Sequence, residues 1–282
     1  MKCSSTYLFT LLLAGTVFIS CEKDADVKLP QTQSKLVIVS MISPQDTDLI
    51  VRVSKSHPLY SSNSTIQYDV TDVKVSLSDG ATSVNLTYDY GYGYYVVKAK
   101  YLPILEGKKY WVYVNTPDGE SANAQTTIPP RNTSLTVSVS NSGGQNNNYT
   151  HKIQCNWTDI PGQKNYYGIT GFKATLLAFE KDTMLQQQGA QQFIPEGTDG
   201  GGLSSNVYMN YGETLAGGYS YVGGKIYLHT ISEELYKYEN KLANGGNASS
   251  PFSEPLLMFT NINNGFGVFA GYNNYIVSFV KP

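Results

Sequence analysis

The sequence predicts a mainly β protein, on three observations. Apolar and polar residues alternate in short runs, as in Val73-Lys74-Val75-Ser76-Leu77 and across residues 48–54, which is the period of a strand with one face in a core. Turn clusters such as Ser78-Asp79-Gly80, Tyr90-Gly91-Tyr92-Gly93 and Pro117-Asp118-Gly119 punctuate those runs at short, even spacing. The composition joins low charge (15%) to 23 tyrosines and 26 glycines, a mixture that suits pleated strands and tight turns better than helices.

The elements follow in order. Residues 35–43 are dense in β-branched side chains, and strands are expected there and at 48–54, 73–77, 84–88, 94–99, 110–114 and 122–128. Seven short strands of this kind predict an immunoglobulin-like β-sandwich over residues 35–129. Pro129-Pro130 marks a domain boundary, and residues 130–282 are expected to form a second β-rich domain. In it, residues 135–140 and 152–157 flank a Gly/Asn-rich hairpin loop or tip at 141–150. Residues 166–179 read as a long strand, 186–205 as a long exposed loop containing Gly197-Thr198-Asp199-Gly200-Gly201-Gly202, and 225–231 as a strand. One short helix is expected near 231–243. Ile231, Leu235, Tyr238 and Leu242 fall on one face, Thr230 and Glu233 have capping-box spacing, and Gly245-Gly246 can end it. The tail reads as two strands, 256–260 and 275–280, joined by a Gly-rich connection at 261–272.

The N-terminus reads as an export signal. Lys2 precedes an apolar run from Tyr7 to Ile19, too short to span a bilayer and matched to the hydrophobic region of a signal peptide over residues 1–20. The run ends Phe18-Ile19-Ser20-Cys21, which resembles a lipobox with Phe18 where Leu is commoner. Cys21 is therefore the expected lipidation site, acylated with chains of the palmitate class. Residues 21–34 form a polar tether containing Pro30. Its acidic cluster Glu22-Lys23-Asp24-Ala25-Asp26 resembles the signal that sends Bacteroidota lipoproteins to the outer face of the outer membrane. The expected location is thus the cell surface, held by lipid.

Charge and motifs narrow the function classes. A net charge of −2 with no basic face argues against nucleic acid as a partner. His57, His151 and His229 stand in separate segments without ligand spacing, and no H-E-x-x-H, G-x-S-x-G or Walker loop occurs, so no metal, cofactor or enzyme activity is expected. Asp46-Thr47-Asp48 offers two carboxylates, a weak start for Ca²⁺. Gly265-Phe266-Gly267 with Gly271 is spaced unlike a dinucleotide loop and reads as a turn. Cys155 is the one thiol left in the mature body and reads as a small buried hydrophobe. The tyrosines cluster as Tyr88, Tyr90, Tyr92, Tyr94, Tyr95 and as Tyr208, Tyr211, Tyr219, Tyr221. They can be recognition surfaces or cross-strand cover. Asp182-Thr183-Met184 resembles the short motif at which Bacteroidota O-glycosylate exported proteins, making Thr183 a candidate site.

Residues 261–272 (Asn261-Ile262-Asn263-Asn264-Gly265-Phe266-Gly267-Val268-Phe269-Ala270-Gly271-Tyr272), preceded by Pro251-Phe252-Ser253-Glu254-Pro255, resemble the C-terminal signature of the domain of unknown function 4249 family, with Ala270 in place of an expected Gly. Further matching pieces are Cys21-Glu22-Lys23, Leu36-Val37-Ile38-Val39, the strand and turn at 73–80, Gly107 with Tyr110, Trp157-Thr158-Asp159 with Tyr166-Tyr167, and Ser232-Glu233-Glu234. The resemblance implies a Bacteroidota outer-membrane lipoprotein, often encoded beside a TonB-dependent receptor, and carries over no catalytic residue. The expected function is a non-catalytic binding or accessory subunit of a TonB-dependent outer-membrane β-barrel. The alternative is a structural or adhesive surface protein.

Overall fold

The computed structural model describes residues 33–56, 70–145, 148–177, 183–195, 197–212, 219–244 and 258–282. The chain falls into two compact units, Ser34–His57 with Asn63–Pro282, and Met1–Gln33 with Pro58–Ser62. The second lies almost wholly outside the described residues, and with it the expected signal peptide and most of the tether.

The first unit is mainly β, with a single α-helix among the described residues. In chain order its strands are β1 (Leu36–Ile42), β2 (Asp48–Lys55), β3 (Lys74–Ser78), β4 (Ser83–Asp89), β5 (Tyr94–Lys98), β6 (Lys109–Asn115), β7 (Ser121–Thr127), β8 (Thr136–Gln145), β9 (Asn148–Thr158), β10 (Tyr166–Leu177), β11 (Thr183–Ile194), β12 (Gly202–Gly212), β13 (Tyr219–Ile231) and β14 (Phe266–Val280). Helix α1 (Glu233–Asn244) lies between the last two. Eleven strands make one sheet in the order β11-β10-β13-β14-β1-β2-β5-β4-β3-β6-β7, and β12-β9-β8 make a second.

β14 is the strand on which both halves depend. Its first part runs parallel to β1, from Val37 opposite Phe266 to Ile42 opposite Gly271. Its second part runs antiparallel to β13, from Ile231 opposite Tyr272 to Gly223 opposite Val280. On the N-terminal side the sheet curls until β7 meets residue 263. There Asn263 N donates to Asn123 O at 2.8 Å, Asn123 N donates to Asn263 O at 3.4 Å, and the two side-chain amides bond at 2.9 Å.

Period-2 burial fills three cores. Leu36, Ile38 and Ile42 of β1 join Leu49, Val51, Leu77, Tyr110 and Val112 inside the curl, with Ile262 and Phe269 from the tail. The small sheet packs Ile153, Cys155, Trp157, Val207 and Met209 onto Tyr167, Ile169, Ile226 and Leu228 of the large one. The outer face of β1 and β14 carries Val39, Met41, Val268 and Ala270, and α1 lays Leu235 on it.

Four expectations are corrected. Residues 186–205 do not form a loop, because β11 and the start of β12 occupy much of the segment. β11 is polar because only one of its sides is paired, to β10, and most of its side chains face solvent, Phe193 and Ile194 at its end excepted. Gly189, at φ +70°, opens a bulge in which residues 189–191 stand opposite Thr170 alone. The Gly/Asn-rich stretch at 141–150 is strand up to residue 145 and again from 148. The tail is one strand from 266 to 280, and residues 258–260 are irregular, 256–257 lying outside the described residues. Gly267 sits at φ +100° where a Cβ would come 2.1 Å from Ile38 O, so these glycines permit backbone contact and do not mark a connection. Lastly, Thr230 is a buried strand residue. Ser232 precedes the helix, its carbonyl accepting the first helical bond from Tyr236 N at 3.1 Å.

Candidate functional site

The aromatic cluster at 88–95 is a hairpin tip. β4 and β5 pair Tyr88 with Tyr95 and Asp89 with Tyr94. Gly93 N closes the turn onto Asp89 O at 2.9 Å, and the Asp89 carboxylate accepts from Gly91 N at 2.8 Å. Gly93 supplies the positive φ that this turn needs. From core to solvent the rings form a ladder. Tyr95 is buried, its hydroxyl donating to Val70 O at 2.9 Å and accepting from Val73 N at 3.1 Å. Tyr88 meets Tyr95 edge-on at 5.0 Å and Tyr90 edge-on at 4.9 Å, while Tyr92 stacks on Tyr94 at 5.6 Å. Tyr90 and Tyr92 are 83% and 73% exposed, so the tip offers two aromatic faces, Tyr90 braced through Tyr88 by the core residue Tyr95 and Tyr92 by the half-buried Tyr94.

The second cluster does not gather in this way. Tyr208 is exposed and Tyr221 is buried against His151, while the side chains of Tyr211 and Tyr219 lie outside what is described. The Gly-rich loop at 197–202 is pinned. Asp159 N donates to Gly201 O at 2.8 Å, Gly200 N to the Asp159 carboxylate at 3.3 Å, and Gly162 N to Asp199 Oδ1 at 2.7 Å. Asp159 is itself buried and accepts from Tyr167 OH at 2.7 Å. Burial, then this bond, pushes the Tyr167 phenol up to about 12. Beside the loop lies a shallow hollow of ≈ 510 Å³ lined by Thr136, Asn156, Thr158 and Ser204.

The seam between the curl and the sandwich joins polar residues that sequence reading does not bring together. Asp46 accepts from Tyr272 OH and from Ser43 N, both at 2.8 Å. Gln45 donates to Asn273 Oδ1 at 3.0 Å and accepts from Asn274 N at 2.9 Å. Asn273 donates on to Glu106 and to Pro129 O, each at 3.2 Å. Burial raises the Asp46 carboxyl above its ordinary range and the Tyr272 phenol likewise. These residues are far apart in sequence and only the β1–β14 pairing joins them, so no local motif announces them. A ≈ 410 Å³ hollow at the same seam takes in Gly107, Tyr166 and Ser232-Glu233-Glu234.

Cys21 and His57 lie outside the described residues. Thr183 opens β11 and is exposed, opposite Leu176. His151 and His229 are not brought together. His151 meets Tyr221 OH at 3.3 Å, while His229 bonds Asn274 and Thr170. Asp46 and Asp48 diverge, Asp48 pairing with Lys98 at 2.7 Å, and no cluster of three metal-ligating side chains occurs among the described residues. Cys155 is fully buried, and burial pushes its thiol up to about 12.

Compared with known proteins, residues 22–275 match the model of a family described as a domain of unknown function, DUF4249. No curated protein matches the chain. Among solved structures, a chain titled as a cytokine receptor complex is 10% identical with a TM-score of 0.22, over 68% of this chain and 89% of that one. A chitinase, ChiA74 from Bacillus thuringiensis, is 13% identical with a TM-score of 0.19, over 70% of this chain and 30% of its own length.

Proposed function

Because the chain belongs to the family described as domain of unknown function DUF4249, whose description assigns neither reaction nor ligand, we propose a function from the chain's own residues. It is a lipid-anchored, non-catalytic binding protein of the outer membrane surface, serving as accessory subunit to a TonB-dependent β-barrel. In this reading residues 35–129 act as an immunoglobulin-like sandwich that mounts the 88–95 hairpin, and residues 130–282 form the second β-rich body. Cys21 carries the acyl chains, and Thr183 is the candidate O-glycosylation site.

The observation that carries the reading is the tyrosine tip. Two rings more than 70% exposed, one braced edge-on through Tyr88 to the core residue Tyr95 and the other stacked on Tyr94, make a preorganised contact surface with less side-chain entropy to lose. An exposed aromatic pair of this kind is expected to meet another protein. A lipid anchor confines such a surface to the membrane plane, where a barrel is within reach.

Native affinity purification in mild detergent tests it. The wild-type protein should bring down an outer-membrane barrel, and the Cys21→Ala variant should lose acyl labelling yet still recover the barrel from solubilised membranes. Recovery of no barrel with the lipidated protein would reject the accessory role and favour an adhesive one.

A further inference from the structure

The far end of the C-terminal sandwich buries a positive charge with no acid to match it among the described residues. On β10 the row facing the small sheet is Ile169, Gly171 and Lys173, set against Val207, Met209 and Asn210 of β12. Lys173 is only 8% exposed, and its Nζ donates to the backbone oxygen of Asn210 on β12 at 3.3 Å. No carboxylate among the described residues lies within salt-bridge distance of it. The strand sequences explain why. β8 to β14 together carry Lys152, Lys173, Lys225, His151 and His229, and not one Asp or Glu. Acids enter this half only in its connections and in α1.

A second cationic group stands at the same end. Gly224 lies opposite both Lys173 on β10 and Phe279 on β14, and Lys281 follows two residues beyond, its backbone N donating to Val222 O at 3.0 Å. The Lys281 ammonium sits 6.0 Å from the Tyr221 ring, and Tyr221 OH bonds the buried His151. Burial first, and then the Lys281 charge, hold His151 below its ordinary range, so near neutral pH the imidazole adds no positive charge of its own. Asn210 is exposed, and its side-chain oxygen accepts from Thr150 at 2.8 Å, which sets this rim toward solvent.

We propose that this end of the sandwich is a binding site for a small oxyanion, a carboxylate or phosphate group, seated against the Lys173 ammonium between β10 and β12 and reached past Asn210 and Lys281. A backbone carbonyl satisfies one of three N–H donors, no described carboxylate neutralises the charge, and a buried ammonium is costly unless an anion meets it. Had packing alone been needed, an apolar side chain of the same length would serve better. Lysine acts as a point charge without the planar fork of arginine, so the site selects negatively charged oxygen and not one anion shape. The proposal does not depend on the barrel or on the tyrosine tip, and its test reads neither.

The full-length protein in non-ionic detergent is titrated with inorganic phosphate, and separately with acetate, at constant ionic strength in chloride, following thermal unfolding. A saturable rise in Tm with at least one anion is expected in the wild type. Lys173→Met should unfold at the same or a higher Tm without anion and bind at least tenfold more weakly. Lys173→Arg should keep the response. Lys281→Met, at the exposed rim, should weaken it about threefold. No saturable rise in the wild type, or an equal rise in Lys173→Met, would overturn the proposal. Should Lys173→Met not fold, the Lys281→Met and Lys173→Arg titrations decide, and an unchanged affinity in Lys281→Met then counts against the site.

Discussion

Gly267 and Gly107 both have positive φ, and their surroundings set them apart. At Gly267 an added Cβ would lie 2.1 Å from Ile38 O, inside the β1–β14 pairing, whereas at Gly107 nothing lies within 4 Å. Gly267→Ala is therefore expected to destabilise by about 3 kcal/mol or more, and Gly107→Ala by about 1 kcal/mol from backbone strain alone. Equal losses in denaturant unfolding would contradict this. The sequence marks Gly265, Gly267 and Gly271 as unusual, yet reads them as a turn, because nothing local says that β1 passes beside them. The half-buried imidazole of His229 gives a pH dependence. His229 Nδ1–H donates to Asn274 Oδ1, its Nε2 accepts from Thr170 at 3.2 Å, and burial lowers its pKa below the ordinary 6.5. A lowered folded pKa means that the unfolded chain takes up the proton first, so stability falls as pH drops below 6.5. Asp46, with its raised pKa, acts in the opposite sense, and comparison of variant with wild type removes it. His229→Gln should lose less Tm than the wild type between pH 7 and pH 5. An identical loss would show that His229 does not titrate there.

At the scale of elements, strands such as β2 and β3 were legible from alternation, since each has one buried and one wetter face, and β1 from its β-branched density, since α1 covers its outer face. β11 was not, because an edge strand whose side chains mostly face water has no apolar period to detect. The helix was legible from its face, but its anchoring is graded. Leu235 is 5% exposed against the β14 surface, and Leu242 is 48% exposed. Leu235→Ala should cost about 2–5 kcal/mol, and Leu242→Ala under about 0.5 kcal/mol. Denaturant midpoints for the two variants check this, and a Leu242→Ala loss as large as that of Leu235→Ala would mean that the helix is covered on both sides.

At the scale of the whole molecule, one strand carries the join between the parts that Pro129-Pro130 divides in sequence. β14 contributes Phe269 to the first core and Tyr275, Val277 and Phe279 to the second. The polar seam of Asp46, Gln45, Tyr272 and Asn273 sits on it. A long-range pairing of this kind has no signal in composition or spacing, which is why the tyrosine tip could be found from the sequence and the seam and Lys173 could not. The central claim is that the tip is a contact surface of a non-catalytic binder held at the outer membrane. It is tested most directly by measuring barrel recovery with a Tyr90→Ser, Tyr92→Ser double variant beside the wild type at equal lipidation. Both rings are exposed, so Tm should stay unchanged, while recovery should fall at least tenfold, as removal of aromatic anchors of about 2 kcal/mol or more each implies. Undiminished recovery with the double variant would contradict the claim.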